Sequence, residues 1–391
     1  MKNFNRLKII PRDYQLEVVG QMVLHDRCLL HSPTGSGKSN ILIYLMMAIG
    51  KKTIIIVPKV DLITQTYNRI LACTDIQPDK ISIYKGRKPH VKPITLITWQ
   101  SLASAMKDAA KWEYFKGYFQ VVMCDECHKT GADKLLYTQG VEMLGCQYRY
   151  GFSATPERND GSTRELIRFF DNNVVKVPIK RLYDNGSLIK PELYFIDTLR
   201  RYDAIALLKE WQKMIFTPEQ QLGILKKTIG TDPLRNAFIM QMINGARGKC
   251  NLVLSYTTMQ CEILHKMDKN ENKLLIHGKL TKNEKQFVFK KIEEMEEVTI
   301  YATQSFLGEG TDIPKLDSLF VVTPFAGGTK TVQFAGRILR PYPGKQVVKI
   351  YDFVDLIRFN PYKNEGRVNE LGWKEKREKE YKKILYGVDM A

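Results

Sequence analysis

The chain has 391 residues, enough for two or three domains, and at 44% hydrophobic and 26% charged its composition excludes a disordered or fibrous protein. Sixty Lys and Arg face 42 Asp and Glu, a formal charge of +18 that points to a polyanionic partner. Seven cysteines, an odd number without framework spacing, exclude a disulfide scaffold and point to a reducing compartment.

The opening "MKNFNRLKIIPRDYQ" lacks an apolar run long enough for a signal peptide, and the longest apolar stretch, 41–49, is too short to span a bilayer. A cytoplasmic protein with no membrane partner is the expectation. "CLLHS" (28–32) reads as a buried strand, followed by a glycine-rich turn and an apolar helix over 38–49. "TIIIVP" (53–58) is a second strand, and "DLITQTYNRILA" (61–72) has helical periodicity. "ITLITW" (94–99), "FQVVMCD" (119–125) and "YRYGFSA" (148–154) are further strands. This alternation predicts an α/β fold with a parallel sheet covered on both faces. The pattern breaks after Pro191, and 198–245 reads mainly as helix. Alternation resumes with "NLVLSY" (251–256), "KLLIHG" (273–278), "VTIYAT" (298–303), "SLFVVTP" (318–324) and "QVVKIYDFVD" (346–355). A charged helix over 373–387 closes the chain, more a docking helix than a nucleic-acid arm. Two α/β units joined by a helical connector are expected.

"SPTGSGKS" (32–39) stands between a strand and a helix. It meets the phosphate-loop pattern at Gly37, Lys38 and Ser39, with Ser32 in place of the first glycine. Gly35 and Gly37 let the backbone of Thr34, Ser36 and their neighbours turn N–H groups toward phosphate oxygens, and the helix behind adds its positive end. Lys38 has the reach for the β and γ phosphates, and the Ser39 hydroxyl can ligate magnesium.

"MCDECHKT" (123–130) admits several readings. Cys124, Cys127 and His128 spell a haem-attachment pattern, and without the histidine the cysteines suggest half a zinc site or a redox pair. Asp125 and Glu126 after an apolar strand suggest instead the carboxylates that a phosphate loop needs, one on magnesium and one activating water. A zinc site would need a second ligand pair, which the chain lacks, and haem attachment belongs to oxidising compartments. The nucleotide reading is therefore preferred, with the cysteines filling space.

Taken together, "PRDYQ" (11–15), "SPTGSGKS", "DECH", "FSATP", "SFLGEGTDIP" (305–314) and "QFAGRILRP" (333–341) resemble, in order, the motifs of superfamily 2 DExH helicases. "DNGSLIKPELYFID" and "DPLRNAFI" resemble the UvsW-type phage recombination helicases within them. The resemblance implies two RecA-like domains, at 1–196 and 231–391, with a connector over 197–230, a basic C-terminal helix and a nucleotide cleft between the domains. It implies ATP and Mg2+ as cofactors. Gln15 would read adenine, and Arg12 would pack on the base or ribose. Asp125 would hold the metal, and Glu126 would be the base. His128, Ser153 and Thr155 would couple nucleotide to nucleic acid. Arg337 and Arg340 would act as arginine fingers beside Gln333, with Gly310 and Asp312 near the nucleotide. Nucleic-acid contacts would come from Pro58, Lys59, Thr98, Gln100, His277, Gly278 and Thr303. The implied activity is ATP-driven unwinding or translocation on DNA, with branched DNA as partner and a further protein partner left open.

Overall fold

A strand covered by helices on both faces is apolar at every position rather than at alternate ones. In the computed structural model, which describes residues 4–86, 90–129, 134–156, 162–203, 218–278, 280–303, 313–322, 335–358 and 373–386, β2 (Thr53–Val57) and β4 (Ile94–Thr98) are buried at every residue, with threonine the one polar type among them. With β1 (Arg27–His31), β3 (Ile81–Tyr84), β5 (Val121–Asp125), β6 (Tyr148–Ser153) and β7 (Val174–Lys176) they form a sheet of order β3-β4-β2-β5-β6-β1-β7. Every pairing is parallel. The expected strands are all present. The two unexpected ones, β3 and β7, are the short edge strands. The helix Lys38–Ile49 is buried from Ile41 through Met47 and stops at Gly50, whose φ of 64° is the left-handed conformation of a C-terminal cap.

The two compact units divide between Arg181 and Leu182. The second holds a parallel sheet of order β10-β11-β9-β12-β13-β8, built from β8 (Pro191–Asp203), β9 (Cys250–Ser255), β10 (Lys273–Ile276), β11 (Val298–Thr303), β12 (Ser318–Val321) and β13 (Val348–Arg358). The expected boundary at 196/197 falls inside β8. Residues 198–203, expected to begin a helical connector, continue that strand, because pairing with β13 runs from Pro191↔Val348 to Asp203↔Arg358. Beyond 218 the expected helices are found as Pro218–Thr231 and Pro233–Ala246.

The terminal helix Trp373–Tyr386 buries Arg377, Tyr381 and Ile384, which share one helical face. Arg377 donates to both carboxylate oxygens of Asp352 on β13, at 2.8 and 2.7 Å, and Tyr381 adds a third hydrogen bond at 2.9 Å. Among the described residues no helix is long and apolar enough to cross a membrane.

Candidate active site

The first strand ends at His31, and the phosphate-loop sequence turns over 32–37 before the helix begins at Lys38. Gly35 and Gly37 have φ of 89° and 79°, a conformation that a side chain opposes. At Gly37 a Cβ would also stand 2.7 Å from Gln15 Nε2, the end of a buried side chain that would have to shift. Ser32, the departure from the pattern, is fully buried, and its hydroxyl bonds the Ser36 hydroxyl at 2.6 Å. A side-chain bond thus braces the loop where the family pattern has a glycine. Tyr14 OH donates to the Ser36 carbonyl, a contact that nothing in the sequence announced. Lys38 Nζ donates to the carbonyls of Ser32 and Pro33 at 3.1 and 3.3 Å, so it lies folded across its own loop. Thr34 is half-buried and Ser39 exposed.

Gln15 is buried, and its Oε1 accepts the Arg12 N–H at 3.0 Å, so its carbonyl is engaged at the start of the helix Asp13–Met22 while its amide nitrogen faces Gly37. The "PRDYQ" stretch therefore packs on the phosphate loop through both Tyr14 and Gln15.

β5 and β6 are neighbours in register, with Asp125 opposite Phe152, so "DECH" and "SAT" leave the same edge of the sheet as the phosphate loop. The carboxyl ends of parallel strands are where such folds bind ligands. Asp125 Oδ1 accepts the Glu126 N–H at 3.0 Å, and Glu126 has φ of 47°, rare for a non-glycine residue. The bend sends the chain into the short turn Cys127–Lys129 and brings His128 back toward β6. His128 Nδ1 lies 2.8 Å from Ser153 Oγ and 3.5 Å from Glu126 Oε2. Ser153 Oγ also accepts the Thr155 N–H at 3.0 Å. His128, Ser153 and Thr155 are therefore one hydrogen-bonded group in contact with Glu126. The Thr155 hydroxyl is buried and has no hydrogen-bond partner among the described residues.

Cys124 and Cys127 are side chains of the apolar core that also holds Ile54, Ile56 and Val122. Burial pushes the Cys127 thiol well above its ordinary range, with Cys124 and Glu126 adding to the effect. Among the described residues no group of three His, Cys, Asp or Glu side chains is placed to hold a metal by itself. Magnesium bound with a nucleotide needs no such cage, since one or two protein oxygens and the phosphates serve. Of the residues expected to meet that metal, Asp125 ends β5 and Ser39 follows β1, both strands that end at the shared edge.

The other expected residues are dispersed. Pro58 is half-buried and Lys59 exposed, ahead of the helix Val60–Cys73. Thr98 is buried, and its Oγ1 accepts the Ser101 N–H at 3.2 Å as the cap of the helix Trp99–Met106, on which Gln100 is exposed. In the second unit His277 is half-buried and Gly278 exposed after β10, while Thr303 is buried at the end of β11. Arg337 and Arg340 are half-buried within 335–340. Gly310, Asp312 and Gln333 lie outside the described residues.

"DPLRNAFI" proves to be a fold-holding segment. Asp232 accepts the N–H groups of Leu234 and Arg235, and buried Arg235 pairs with buried Asp355 at 2.7 and 2.8 Å. Asn236 Oδ1 accepts from Gln260 Nε2 at 3.1 Å, and Gln260 Oε1 accepts from Ser255 Oγ at 2.7 Å. Two adjacent residues thus bind one helix to the ends of β13 and β9.

Residues 8–158 match the family described as type III restriction enzyme, res subunit, and residues 234–342 match the helicase conserved C-terminal domain. A DNA 3'-5' translocase, XPB2, of Sulfurisphaera tokodaii is 25% identical over 366 residues, 85% of this chain and 79% of that protein. The DNA-bound structure of the ATP-dependent type ISP restriction-modification enzyme LlaBIII superposes with a TM-score of 0.64 at 17% identity, covering 96% of this chain and 29% of that one. The Hef helicase domain of Pyrococcus furiosus superposes at 0.57 and 13% identity, covering 88% and 95%. The fold is that of two RecA-like α/β domains with parallel sheets.

Proposed function

We propose that this chain, a superfamily 2 helicase, hydrolyses ATP to drive movement along DNA and remodels branched DNA. One observation supports the reading most. The glycine-turned loop over 32–39, the Asp125–Glu126 pair and the His128–Ser153 bond all leave the same edge of one parallel sheet.

ATP with Mg2+ supplies the phosphoanhydride whose cleavage drives the motion. The residues present fit it. Gly35 and Gly37 keep the loop backbone open to phosphate, as the positive φ at each favours. Lys38 exchanges its bonds to the Ser32 and Pro33 carbonyls for the phosphates. Ser39 and Asp125 would hold the metal, Arg12 and Gln15 would border the base, and by the resemblance Gly310 and Asp312 would also serve the nucleotide. Glu126 takes the proton of the attacking water, and the neighbouring His128 passes its state to Ser153 and Thr155. Arg337 and Arg340 would counter the charge of the transition state, and the resemblance assigns Gln333 to the same task. Pro58, Lys59, Thr98, Gln100, His277, Gly278 and Thr303 contact the strand. With the Thr98 hydroxyl engaged in a cap, Lys59 and Gln100 carry most of that contact on the first unit.

DNA is favoured over RNA by the name of the translocase relative, and the net charge suits either polyanion. Preference for branches rests on the resemblance of "DNGSLIKPELYFID" and "DPLRNAFI" to UvsW-type helicases, as does a role in recombination or repair. ATPase rates on a four-way junction, a fork, linear duplex, single-stranded DNA and RNA duplex test it. The junction and fork are expected to stimulate most, and stimulation by RNA alone would refute DNA as the partner.

A second reading, movement on duplex without strand separation, is favoured by the translocase and restriction-enzyme relatives. Roadblock displacement without strand displacement would establish it.

A further inference from the structure

Lys345 joins two segments of the second unit through their backbones. Its Nζ donates to the carbonyl oxygens of Pro314 at 3.0 Å, Ile338 at 2.5 Å and Arg340 at 2.9 Å. An ammonium carries three donors, so each of its protons has a carbonyl within reach. The turn bearing it folds back on the arginine segment. Gly344 has φ of 78°, and the Lys345 N–H donates to the Tyr342 carbonyl at 2.9 Å. A lysine in a surface ion pair contributes little and leaves no trace in the backbone. A half-buried lysine bound to three main-chain carbonyls, by contrast, fixes where two chain segments stand.

The segments are telling. Pro314 closes "SFLGEGTDIP", and Ile338 and Arg340 belong to "QFAGRILRP". The carbonyl between them, that of Leu339, accepts the Ile189 N–H at 2.8 Å. Three successive carbonyls beside Arg337 and Arg340 are therefore held from outside, two of them by Lys345. Preorganised charge stabilises a transition state only when it is in place before the reaction. A misplacement of about 1 Å costs on the order of 100-fold in rate.

We propose that Lys345 is a positioning residue for ATP hydrolysis, tying the backbone of Arg337–Arg340 to the end of the 305–314 segment and so fixing the two guanidinium groups. The proposal rests on the reading of those arginines as finger residues.

The experiment is steady-state ATPase with a saturating DNA junction, on variants that keep the lysine stem. Lys345→Met is expected to lower kcat about tenfold with KM for ATP within about twofold, and Lys345→Arg to recover part of the loss, the pattern of an interaction made in the transition state. In the Arg337→Ala/Arg340→Ala background, adding Lys345→Met is expected to cost nothing further, since there is no finger left to place. An equal further loss there, or wild-type kcat in Lys345→Met, overturns the role of Lys345 and leaves the finger reading standing. Wild-type turnover in the double-arginine variant overturns the finger reading, and Lys345 falls with it. Should Lys345→Met fail to fold, Lys345→Gln carries the same comparison.

Discussion

Glu126 holds a φ of 47° that costs a glutamate on the order of 1 kcal/mol, and the bond from its N–H to Asp125 offsets part of that. The conformation turns the carboxylate toward His128 and away from the strand. The two cysteines beside it belong to the core, and burial pushes the Cys127 thiol well above its ordinary range. The same short stretch thus carries a half-buried polar face and a packing face, which favours the nucleotide reading among those the letters alone permit. Glu126→Gln keeps size and removes the base, so turnover is expected to fall about 10²–10⁴-fold with ATP still bound. Cys124→Ser with Cys127→Ser is expected to leave the ATPase within a few-fold, at some loss of stability. Single-turnover hydrolysis and nucleotide binding measured on both variants check this. Loss of activity and of a bound metal in the cysteine variant would revive the metal reading. Lys38→Ala is expected to weaken both binding and turnover.

At the scale of elements, the terminal helix shows how a charged sequence becomes a docked one. Most of "WKEKREKEYKKILY" is charged, yet the i, i+4, i+7 positions Arg377, Tyr381 and Ile384 are buried, and Asp352 receives the arginine and the tyrosine. Removing one member of a buried pair leaves the other uncompensated, so Arg377→Ala is expected to cost about 3–5 kcal/mol. Arg377→Met with Asp352→Leu is expected to cost less than the single change. Urea denaturation of the full chain, followed by a probe in the second unit, measures both. The arginine gave no hint of burial in the sequence, because its partner is 25 residues away on a strand. The same limit explains β8. Interior strands such as β2 were legible because an unbroken run of β-branched apolar residues fills them, Ile54 to Val57 in that case. β8 is an edge strand of mixed aromatic and charged residues, covered in part, and only its pairing with β13 makes it a strand. At the site, the glycines, carboxylates and "SAT" group were legible because their chemistry requires residue types at fixed spacing. Tyr14, Ser32 and Lys345 were not, because side-chain bonds to distant backbone follow no local rule.

For the whole molecule, the question is whether an excess of 18 positive charges accounts for DNA recognition by itself. Charge attracts any phosphate backbone. Each neutralised phosphate releases counterions, so affinity for duplex falls with salt at a logarithmic slope of about −0.9 per phosphate contacted. Recognition of a junction's shape behaves differently, since contacts fixed by geometry contribute the same ratio at every salt concentration. Affinities for a four-way junction and for linear duplex of equal length, measured between about 50 and 200 mM salt, a range over which several phosphate contacts change affinity by orders of magnitude, separate the two. Both are expected to weaken along parallel lines, with the junction tighter throughout. Lys59→Ala is expected to reduce the slope by about 1 on both substrates, as the loss of one phosphate contact does, without changing their ratio. A ratio that shrinks to unity as salt rises would mean that junctions bind tightly only because they gather more phosphate. The preference for branched DNA would then be charge alone, and movement along duplex would be the better account of the activity.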